Sequence, residues 1–182
     1  MNYNAILLSG LPVSGKSTLC KRLANHYGWD THSVGDIVKA KYLAINPQDT
    51  VFSGLSAWWK TTPPAENLQF NLDLKEIVRC GNVVADSRYI HYCSDLPALR
   101  VFVTADVETR ARRHANSNGI SYSPYLIDSL KAREDDEFQR GMELFNVDYR
   151  NPLIYHLILN SRELTIDEEF IAITSLVKSH SA

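Results

Sequence analysis

A glycine-rich segment near the start of the chain has the residue types and spacing of a phosphate-binding loop. Residues 10–17 read GLPVSGKS and fit the pattern G-x-x-x-x-G-K-[ST]. In this pattern the backbone N–H groups of the loop and of the following helix converge on phosphate oxygens. The lysine reaches the terminal phosphates of a nucleotide, and the hydroxyl binds Mg²⁺. The segment predicts a site for ATP and Mg²⁺ at Gly10, Leu11, Pro12, Val13, Ser14, Gly15, Lys16, Ser17 and the adjoining Thr18.

Phosphoryl transfer to a small acceptor also requires a second cationic site, which binds the acceptor and neutralises charge. Arg88 follows an apolar run that ends in Asp86, at the kind of strand end where open α/β sheets bind ligands. Two further groups have the spacing of a shared helix face. These groups are Arg110 with Arg113, and Arg133 with Glu137 and Arg140.

Apolar runs and amphipathic stretches alternate along the chain and predict the elements that position these residues. The predicted strands cover residues 4–9, 30–34, 82–87, 99–104 and 157–160. The predicted helices cover residues 17–27, 36–44, 64–80, 106–118 and 124–144, and a last helix opens with the capping box Thr165-x-x-Glu168. The alternation favours an α/β fold, a single three-layer P-loop domain with a central parallel sheet and helices on both faces.

Residues 46–63 are the least regular part of the chain, because they mix Pro, Gly, Ser and Thr with two tryptophans. Trp58 and Trp59 can either stack a base or pack in the interior, and packing is the favoured reading. In the helix that follows, the apolar positions predicted to share the buried face are Leu68, Leu72, Ile77 and Val78.

Composition excludes several classes of function. The 19 Lys and Arg against 21 Asp and Glu give a formal net charge of −2, which gives no electrostatic reason to bind a nucleic acid polymer. Apolar runs are too short to cross a bilayer and the start lacks the features of a secretory signal, so the expected location is the cytoplasm. Cys20, Cys80 and Cys93 have no metal-site spacing and are expected to be reduced thiols.

The order and spacing of these segments resemble nucleoside monophosphate kinases, and among them the cytidylate kinase branch. Residues 83–88, VVADSR, resemble that branch's strand ending in A-D-G-R or V-E-G-R. Residues 33–37, SVGDI, resemble its S-x-G-[DE]-I-F-R segment, and residues 131–140, KAREDDEFQR, resemble its helix K-E-R-D-D-R-D-R-N-R. Residues 110–113, RARR, resemble the start of the family's lid, and residues 156–165 resemble its closing strand and loop.

The resemblance implies an acceptor-binding region over residues 33–80 and a lid over residues 114–124. In the family, the residues matching Ser33, Asp36 and Lys39 shape the acceptor site. By the same matching, Arg88 and Arg133 bind the acceptor phosphate and Glu137 meets the sugar.

Donor roles follow from the same resemblance. Arg140 pairs with the transferring phosphate, Arg110 packs on the donor adenine, and Arg113 approaches the phosphates. As a separate mechanistic hypothesis, Asp86 is expected to join Ser17 in holding Mg²⁺, through a water molecule. The implied activity is transfer of phosphate from ATP to a nucleoside monophosphate, with CMP or dCMP favoured, by a monomer or homodimer.

Two departures bear on the acceptor. Tyr89 stands where the bacterial branch has an aspartate that helps to read cytosine, and an aromatic ring cannot supply that carboxylate's hydrogen bonds. Lys39 replaces an arginine, exchanging a bidentate fork for a point charge. Two other functions remain open: a P-loop kinase of a non-nucleotide molecule such as a sugar or a shikimate-like acid, and a nucleotide-binding regulatory module or slow ATPase.

Overall fold

The computed structural model describes residues 3–49 and 54–179 and is built around a parallel sheet. Its strands lie in the order β2-β3-β1-β4-β5, and every neighbouring pair is parallel. All residues of β1 are buried, which explains why its sequence is a continuous apolar run rather than an alternating one. The strands are β1 Ala5–Gly10, β2 Asp30–Ser33, β3 Val83–Asp86, β4 Ala98–Thr104 and β5 Leu157–Asn160.

Helices cover both faces of the sheet, and the predicted three-layer P-loop sandwich is confirmed. Short 3-10 turns at Ile90–Cys93 and Pro152–Ile154 were not predicted. The helices are α1 Lys16–Tyr27, α2 Val34–Ile45, α3 Leu55–Thr61, α4 Pro64–Cys80, α5 Val107–Asn118, α6 Pro124–Phe145 and α7 Ile166–Ser179.

Two clusters of buried side chains hold the layers together. On one face, Leu19 and Leu23 of α1 and Ile173 of α7 pack against Ile6 and Leu8 of the central strand and its neighbours. On the other face, α4 and the first 3-10 turn pack against the remaining strand residues. Helices α5 and α6 pack on each other in a third cluster that includes the P-loop residue Val13. This third cluster joins the charged helices to the phosphate-binding loop.

The predicted buried stripe of α4 is wrong in part. Val78 is buried, but Leu68 and Leu72 are exposed. The buried face instead carries Phe70 and Leu74, together with two asparagines that occupy core positions, Asn67 and Asn71. Their side-chain amides donate to backbone carbonyl groups, which makes their burial tolerable and hides the face from a purely apolar pattern.

Local signals fixed several helix ends. Gly28 adopts a left-handed conformation with φ 65° and ends α1. At the start of α7, Thr165 Oγ1 accepts from the Glu168 N–H and Glu168 Oε2 accepts from the Thr165 N–H, so the capping box is confirmed. Ser123 is at the predicted N-cap of α6, although its side chain makes no capping hydrogen bond.

Register brings the strand ends to one edge of the sheet. Asp86 of β3 is level with Leu8 of β1 and with Ser33 of β2. Asp86 therefore lies beside the start of the P-loop and beside Ser33, the first residue of the predicted acceptor segment. The cysteines at 20, 80 and 93 are free thiols, as expected. Within the described part of the chain, no helix combines the length and apolarity required to span a membrane.

Candidate active site

The P-loop leaves β1 through a glycine that no other residue can replace without movement. Gly10 has φ 142°, and a Cβ there would lie 2.0 Å from the carbonyl oxygen of Val103 on β4. Gly15 has φ 100° and stands at the N-cap of α1. The first N–H groups of α1 have no partner within the helix and therefore face the loop's interior, where they can donate to an anion. The hydroxyl of Ser14 is buried and has no hydrogen-bond partner among the described residues, which fits a loop that surrounds phosphate.

Backbone strain accompanies this loop. Val13 has φ 61°, a conformation that is strongly disfavoured for a β-branched residue. Such outliers persist where the surrounding structure imposes them, and they concentrate at ligand sites. The Val13 side chain packs against the α5–α6 cluster, which helps to hold the loop in shape.

Lys16 is folded back across the mouth of the loop. Its Nζ donates to the carbonyl oxygens of Gly10 at 3.1 Å and Leu11 at 2.9 Å. Burial, with the positive charge of Arg88, lowers the pKa of Lys16 to about 7, despite the opposing charges of Asp86 and Glu137. The ammonium group is thus short of counter-charge, and an incoming phosphate would supply it.

Ser17 and Asp86 meet beside the lysine, as the sequence predicts. The hydroxyl of Ser17 donates to Asp86 Oδ2 at 3.4 Å, although 69 residues separate the two in the chain. A hydroxyl and a carboxylate are hard oxygen donors of the kind that Mg²⁺ uses when phosphates and water complete its shell. The two side chains therefore fit a Mg²⁺ ion bound together with a nucleotide.

Arg88, Arg133 and Glu137 form an ionic cluster whose charges act on Lys16. Arg88 and Glu137 are partly buried, and the Arg133 side chain is about half exposed. Arg88 donates through Nε to Glu137 Oε2 at 2.7 Å and through a terminal nitrogen to Oε1 at 3.3 Å. Arg133 donates to Glu137 Oε1 at 3.1 Å. Desolvation acts to raise the pKa of Glu137, but the charges of the two arginines outweigh it and the pKa is lowered. The cluster is a ready site for an anion, in which one carboxylate fixes two guanidinium groups.

Tyr89 contacts the part of α6 that carries Glu137. Its hydroxyl donates to the Glu137 carbonyl at 2.9 Å, and its ring packs edge-on against Phe145 at 4.8 Å between centroids. A Cβ at Gly141 would lie 2.9 Å from the Tyr89 ring, so the glycine allows ring and helix to approach closely. Tyr89 thus fixes the position of α6 relative to Arg88.

The backbone of Arg88 is anchored on its other side. Ser9 Oγ donates to the Arg88 carbonyl at 3.1 Å, and the hydroxyl of Tyr155 donates to Ser9 Oγ at 3.2 Å. This chain of hydroxyl groups ties the loop after β3 to the end of β1. Arg88 is therefore held through both its side chain and its backbone.

Arg140 occupies a different place from the other charged residues of α6. Its guanidinium donates to Asn67 Oδ1 and to the carbonyl of Thr62, each at 3.4 Å, and lies 4.9 Å from the ring centroid of Trp59. Trp59 also packs on Phe70, and Trp58 packs on Tyr42, in keeping with the favoured packing role of the tryptophans. Arg140 joins α6 to α4 and to the turn between α3 and α4, and this conformation does not bring it to the P-loop.

Arg110 and Arg113 of α5 both contact the P-loop, in different ways. Arg110 is 3% exposed and donates to the carbonyls of Ala105 and Pro12 and to Glu134. Arg110 contacts the loop through the Pro12 carbonyl. Packing on adenine would require it to leave these partners. Arg113 donates to the Ser14 carbonyl and to Ser161, and it reaches the cavity above the loop.

This P-loop cavity has a volume of about 530 Å³. One wall is the loop with the first turn of α1, and the opposite wall comes from α5, the segment after β5 and α7. Its lining residues are Val13, Ser14, Gly15, Lys16, Ser17, Thr18, Arg113, Ser117, Ser161, Leu164, Ile166 and Glu169. The predicted loop and Arg113 thus line one cavity, together with residues of α7 and of the segment after β5.

The predicted acceptor residues of α2 lie beside the Ser17–Asp86 pair. Ser33 Oγ caps α2 by accepting from the Asp36 N–H at 3.2 Å, and Lys39 forms an ion pair with Asp36 at 3.1 Å. Ser33 and Asp36 line a small depression together with Ser17 and Asp86. The structure therefore brings Ser33 and Asp36 to the edge of the site, while Lys39 is engaged with its neighbour on the helix.

Comparison with models of known families matches residues 5–163 to the cytidylate kinase-like family. The chain belongs to this family. Two relatives, each named cytidylate kinase, come from Desulfurococcus amylolyticus, with 27% identity over 94% of this chain and 91% of the relative, and from Ignicoccus hospitalis, with 30% identity over 86% and 88%. The shikimate kinase of Acinetobacter baumannii, solved with shikimate, shares the fold at a TM-score of 0.55 and 13% identity, covering 96% of this chain and 94% of that one.

This match confirms the resemblance to nucleoside monophosphate kinases that the motifs indicated. The match covers the P-loop, the Asp86–Arg88 segment and the charged helix α6. It gives the chain's class, an ATP-dependent kinase, while the individual roles of the site residues stay predictions.

Several residues of this family member's site escaped sequence reasoning. Ser161 is 4% exposed and directly follows β5, at the edge of the sheet where ligands bind. Its place at a predicted strand end could have identified it as a site residue. Tyr155 and Asn67 act through hydrogen bonds to distant residues, and nothing in the sequence announces such partners. Glu169 sits among acidic residues at a helix start, where carboxylates ordinarily complement the helix dipole.

Proposed function

We propose that the protein transfers the γ-phosphoryl group of Mg²⁺-bound ATP to the phosphate of a nucleoside monophosphate, with cytidine monophosphate the first acceptor to test. The observation that carries this proposal is the Arg88–Glu137–Arg133 cluster, whose charges act on Lys16. A loop for the donor phosphates and a two-arginine site for a second anion share one edge of the sheet. A nucleotide-binding module or an ATPase has no need of the second site.

Transfer requires alignment and charge stabilisation rather than a general base, because the acceptor phosphate already carries a nucleophilic oxygen. Arg88 and Arg133 hold the acceptor phosphate, and its oxygen attacks the γ-phosphorus. The bond from that phosphorus to the bridging oxygen breaks, and ADP leaves. Lys16 and the loop N–H groups stabilise the charge that develops on the transferring group and on ADP.

Ser17 and Asp86 are the residues that would hold Mg²⁺. The ion would neutralise charge on the donor phosphates when bound. The lid expected at residues 114–124 consists of the end of α5, the left-handed Gly119 and a short connection to α6. We propose that this connection covers the donor during transfer and keeps water from the γ-phosphorus.

The test is an ADP-release assay with Mg²⁺ and ATP against CMP, dCMP, UMP, AMP, GMP, dTMP and dGMP. Acceptor-dependent ADP release with one or two of these is expected. Lys16→Ala should reduce turnover by about a hundredfold or more, since it removes a charge that acts on the transition state.

Arg88→Ala should mainly impair use of the acceptor, and Arg79→Ala is its control. Arg79 is an exposed arginine of α4 that pairs with Glu76 on the same helix. Near-normal turnover in Lys16→Ala, or ADP release that no acceptor stimulates, would contradict the proposal.

A further inference from the structure

Arg88 follows the point at which regular pairing between β1 and β3 ends. That pairing ends at Leu8 and Asp86, and the N–H of Ser87 then donates to the Leu8 carbonyl at 3.1 Å. One residue further along both segments, a side chain replaces the backbone, because Ser9 Oγ donates to the Arg88 carbonyl at 3.1 Å. Ser9 is fully buried, so its hydroxyl is removed from bulk water and depends on partners within the protein.

Ser9 also belongs to the strand that leads into the P-loop. The next residue is Gly10, whose carbonyl accepts from Lys16 Nζ at 3.1 Å. The lysine expected to bind the donor phosphates and the arginine expected to bind the acceptor are therefore attached to adjoining residues of one strand. The spacing between Lys16 and Arg88 depends on the hydrogen bond from Ser9.

Tyr155 lies between the second 3-10 turn and β5 and connects Ser9 to another support of the ionic cluster. Its hydroxyl has one proton and two acceptors within reach, Ser9 Oγ at 3.2 Å and the carbonyl of Tyr149. Tyr149 is fully buried, and its ring lies edge-on to that of Tyr89 at 6.3 Å between centroids. Tyr89 in turn donates to the carbonyl of Glu137. Tyr155 thus joins two supports of the ionic cluster, one through a serine hydroxyl and the other through aromatic packing.

The ring and the hydroxyl of Tyr155 have separate partners. The ring packs on Phe102 of β4 at 4.9 Å between centroids. Burial raises the pKa of Tyr155 to about 12, so the hydroxyl keeps its proton at the pH of any ordinary assay. A phenylalanine at this position would retain the ring packing and remove only the hydrogen-bonding group.

We propose that Ser9 and Tyr155 are positioning residues for phosphoryl transfer, which hold Arg88 at a fixed distance from Lys16. The inference rests on the proposed function, because it places the acceptor phosphate on Arg88. Transfer tolerates little error in the distance between the two phosphates, since a displacement of about 1 Å can cost about a hundredfold in rate. Loss of either hydroxyl should therefore impair acceptor use, while the loop N–H groups and Lys16 continue to bind ATP.

Tyr155→Phe and Ser9→Ala each remove one hydroxyl group. The assay uses Mg²⁺, ATP and the acceptor that the ADP-release panel identifies. In each variant kcat/KM for the acceptor should fall about tenfold, while the KM for ATP stays within about twofold of the wild-type value. The double variant should lose little more than Ser9→Ala alone, because both hydroxyl groups act through one chain of hydrogen bonds.

Two control variants remove hydroxyl groups elsewhere. Thr174 is 6% exposed and donates to the carbonyl of Phe170 within α7, so Thr174→Val removes a buried hydroxyl bond outside the site. Tyr27 lies at the end of α1 remote from the P-loop, and its hydroxyl has no hydrogen-bond partner among the described residues. Thr174→Val and Tyr27→Phe should both keep the acceptor kinetics of the wild type.

Unchanged acceptor kinetics in Tyr155→Phe and Ser9→Ala would overturn the positioning role, as would equal losses for the acceptor and ATP or additive losses in the double variant. If Ser9→Ala does not fold, Tyr155→Phe decides, because it keeps the volume and packing of the ring. Arg88→Ala distinguishes this failure from that of the proposed function. Impaired acceptor use in Arg88→Ala beside unaltered hydroxyl variants refutes the positioning role alone, whereas unaltered acceptor use in Arg88→Ala contradicts the proposed function and this inference with it.

Discussion

Tyr89 is a positioning residue whose two contacts can be separated by one substitution. Tyr89→Phe removes the hydroxyl that donates to the Glu137 carbonyl and keeps the ring on Gly141. Because Glu137 fixes both arginines of the anion site, the KM for the acceptor should rise several-fold while the KM for ATP stays unchanged. Stability should fall by about 1 kcal/mol, the usual contribution of one hydrogen bond. Steady-state kinetics with each substrate varied in turn measures this separation.

Tyr92→Phe is the matched control for Tyr89→Phe. Tyr92 belongs to the same 3-10 turn region and also packs on Phe145, and it is partly buried as Tyr89 is. It should leave both KM values near those of the wild type. An equal rise in the two KM values for Tyr89→Phe would mean that Tyr89 acts on the fold as a whole.

Val13 offers a test of backbone strain in the P-loop. Its φ of 61° favours glycine over any residue with a Cβ. Val13→Gly should therefore be more stable than Val13→Ala by about 1 kcal/mol, the reverse of the usual order. Urea unfolding of both variants measures the difference. The same pair of substitutions at the half-buried Val147, where φ is not positive, should place alanine above glycine, and the same order at both positions would contradict the argument.

At the scale of secondary-structure elements, Asn67 connects three helices. Its amide donates to the carbonyls of Thr62 and Pro63 between α3 and α4, and its oxygen accepts from Arg140 of α6. Asn67→Ala leaves these groups without their partner and should lower the free energy of unfolding by about 1–3 kcal/mol. Chemical denaturation measures the loss. Gln69→Ala, on the exposed side of α4, should cost much less, and equal losses would refute the role of Asn67.

The sequence predicted those parts of the fold that local signals determine. The continuous apolar run of β1, the glycine pattern of the P-loop and the capping box of α7 each carry their own signal and were identified at the right residues. The buried face of α4 was misread because Asn67 and Asn71 replace apolar residues through hydrogen bonds that only the folded chain supplies. Helix α3 was missed for the same reason, since its tryptophans are positioned by α2 and α4.

In the candidate site, too, the sequence predicts the positions that the backbone determines and not the partners of long side chains. The loop residues and the Ser17–Asp86 pair follow from strand ends that register brings together, which the sequence can predict. The partners of long side chains cannot be predicted in this way, because an arginine side chain can reach many different hydrogen-bond acceptors. Arg88 and Arg133 meet on Glu137, whereas Arg140 on the same helix turns to Asn67 and Trp59.

At the scale of the whole molecule, ATP binding should be coupled to proton uptake through Lys16. Its pKa of about 7 in the free protein lies below the ordinary lysine value of 10.5, so the folded state binds fewer protons than the unfolded state between these values. Burial of the Lys16 ammonium lowers the free energy of unfolding by its full amount below pH 7. This destabilisation decreases as the pH rises from 7 toward 10.5. In that window, phosphate binding restores the charge, and affinity for ATP should fall as pH increases.

Two measurements test this linkage. NMR of the lysine ε-carbons should show one resonance with a midpoint near pH 7 that is absent from Lys16→Met, because that substitution removes the buried ammonium. Calorimetry at pH 8.5 in buffers of different ionisation enthalpy should show nearly one proton taken up per ATP bound, since a group with a pKa near 7 is mostly neutral there before phosphate restores its charge. Lys16→Arg keeps its charge at this pH and should bind without uptake. An ordinary lysine midpoint, or uptake that persists in Lys16→Arg, would show that the proton resides elsewhere and that the loop holds its lysine charged before ATP arrives.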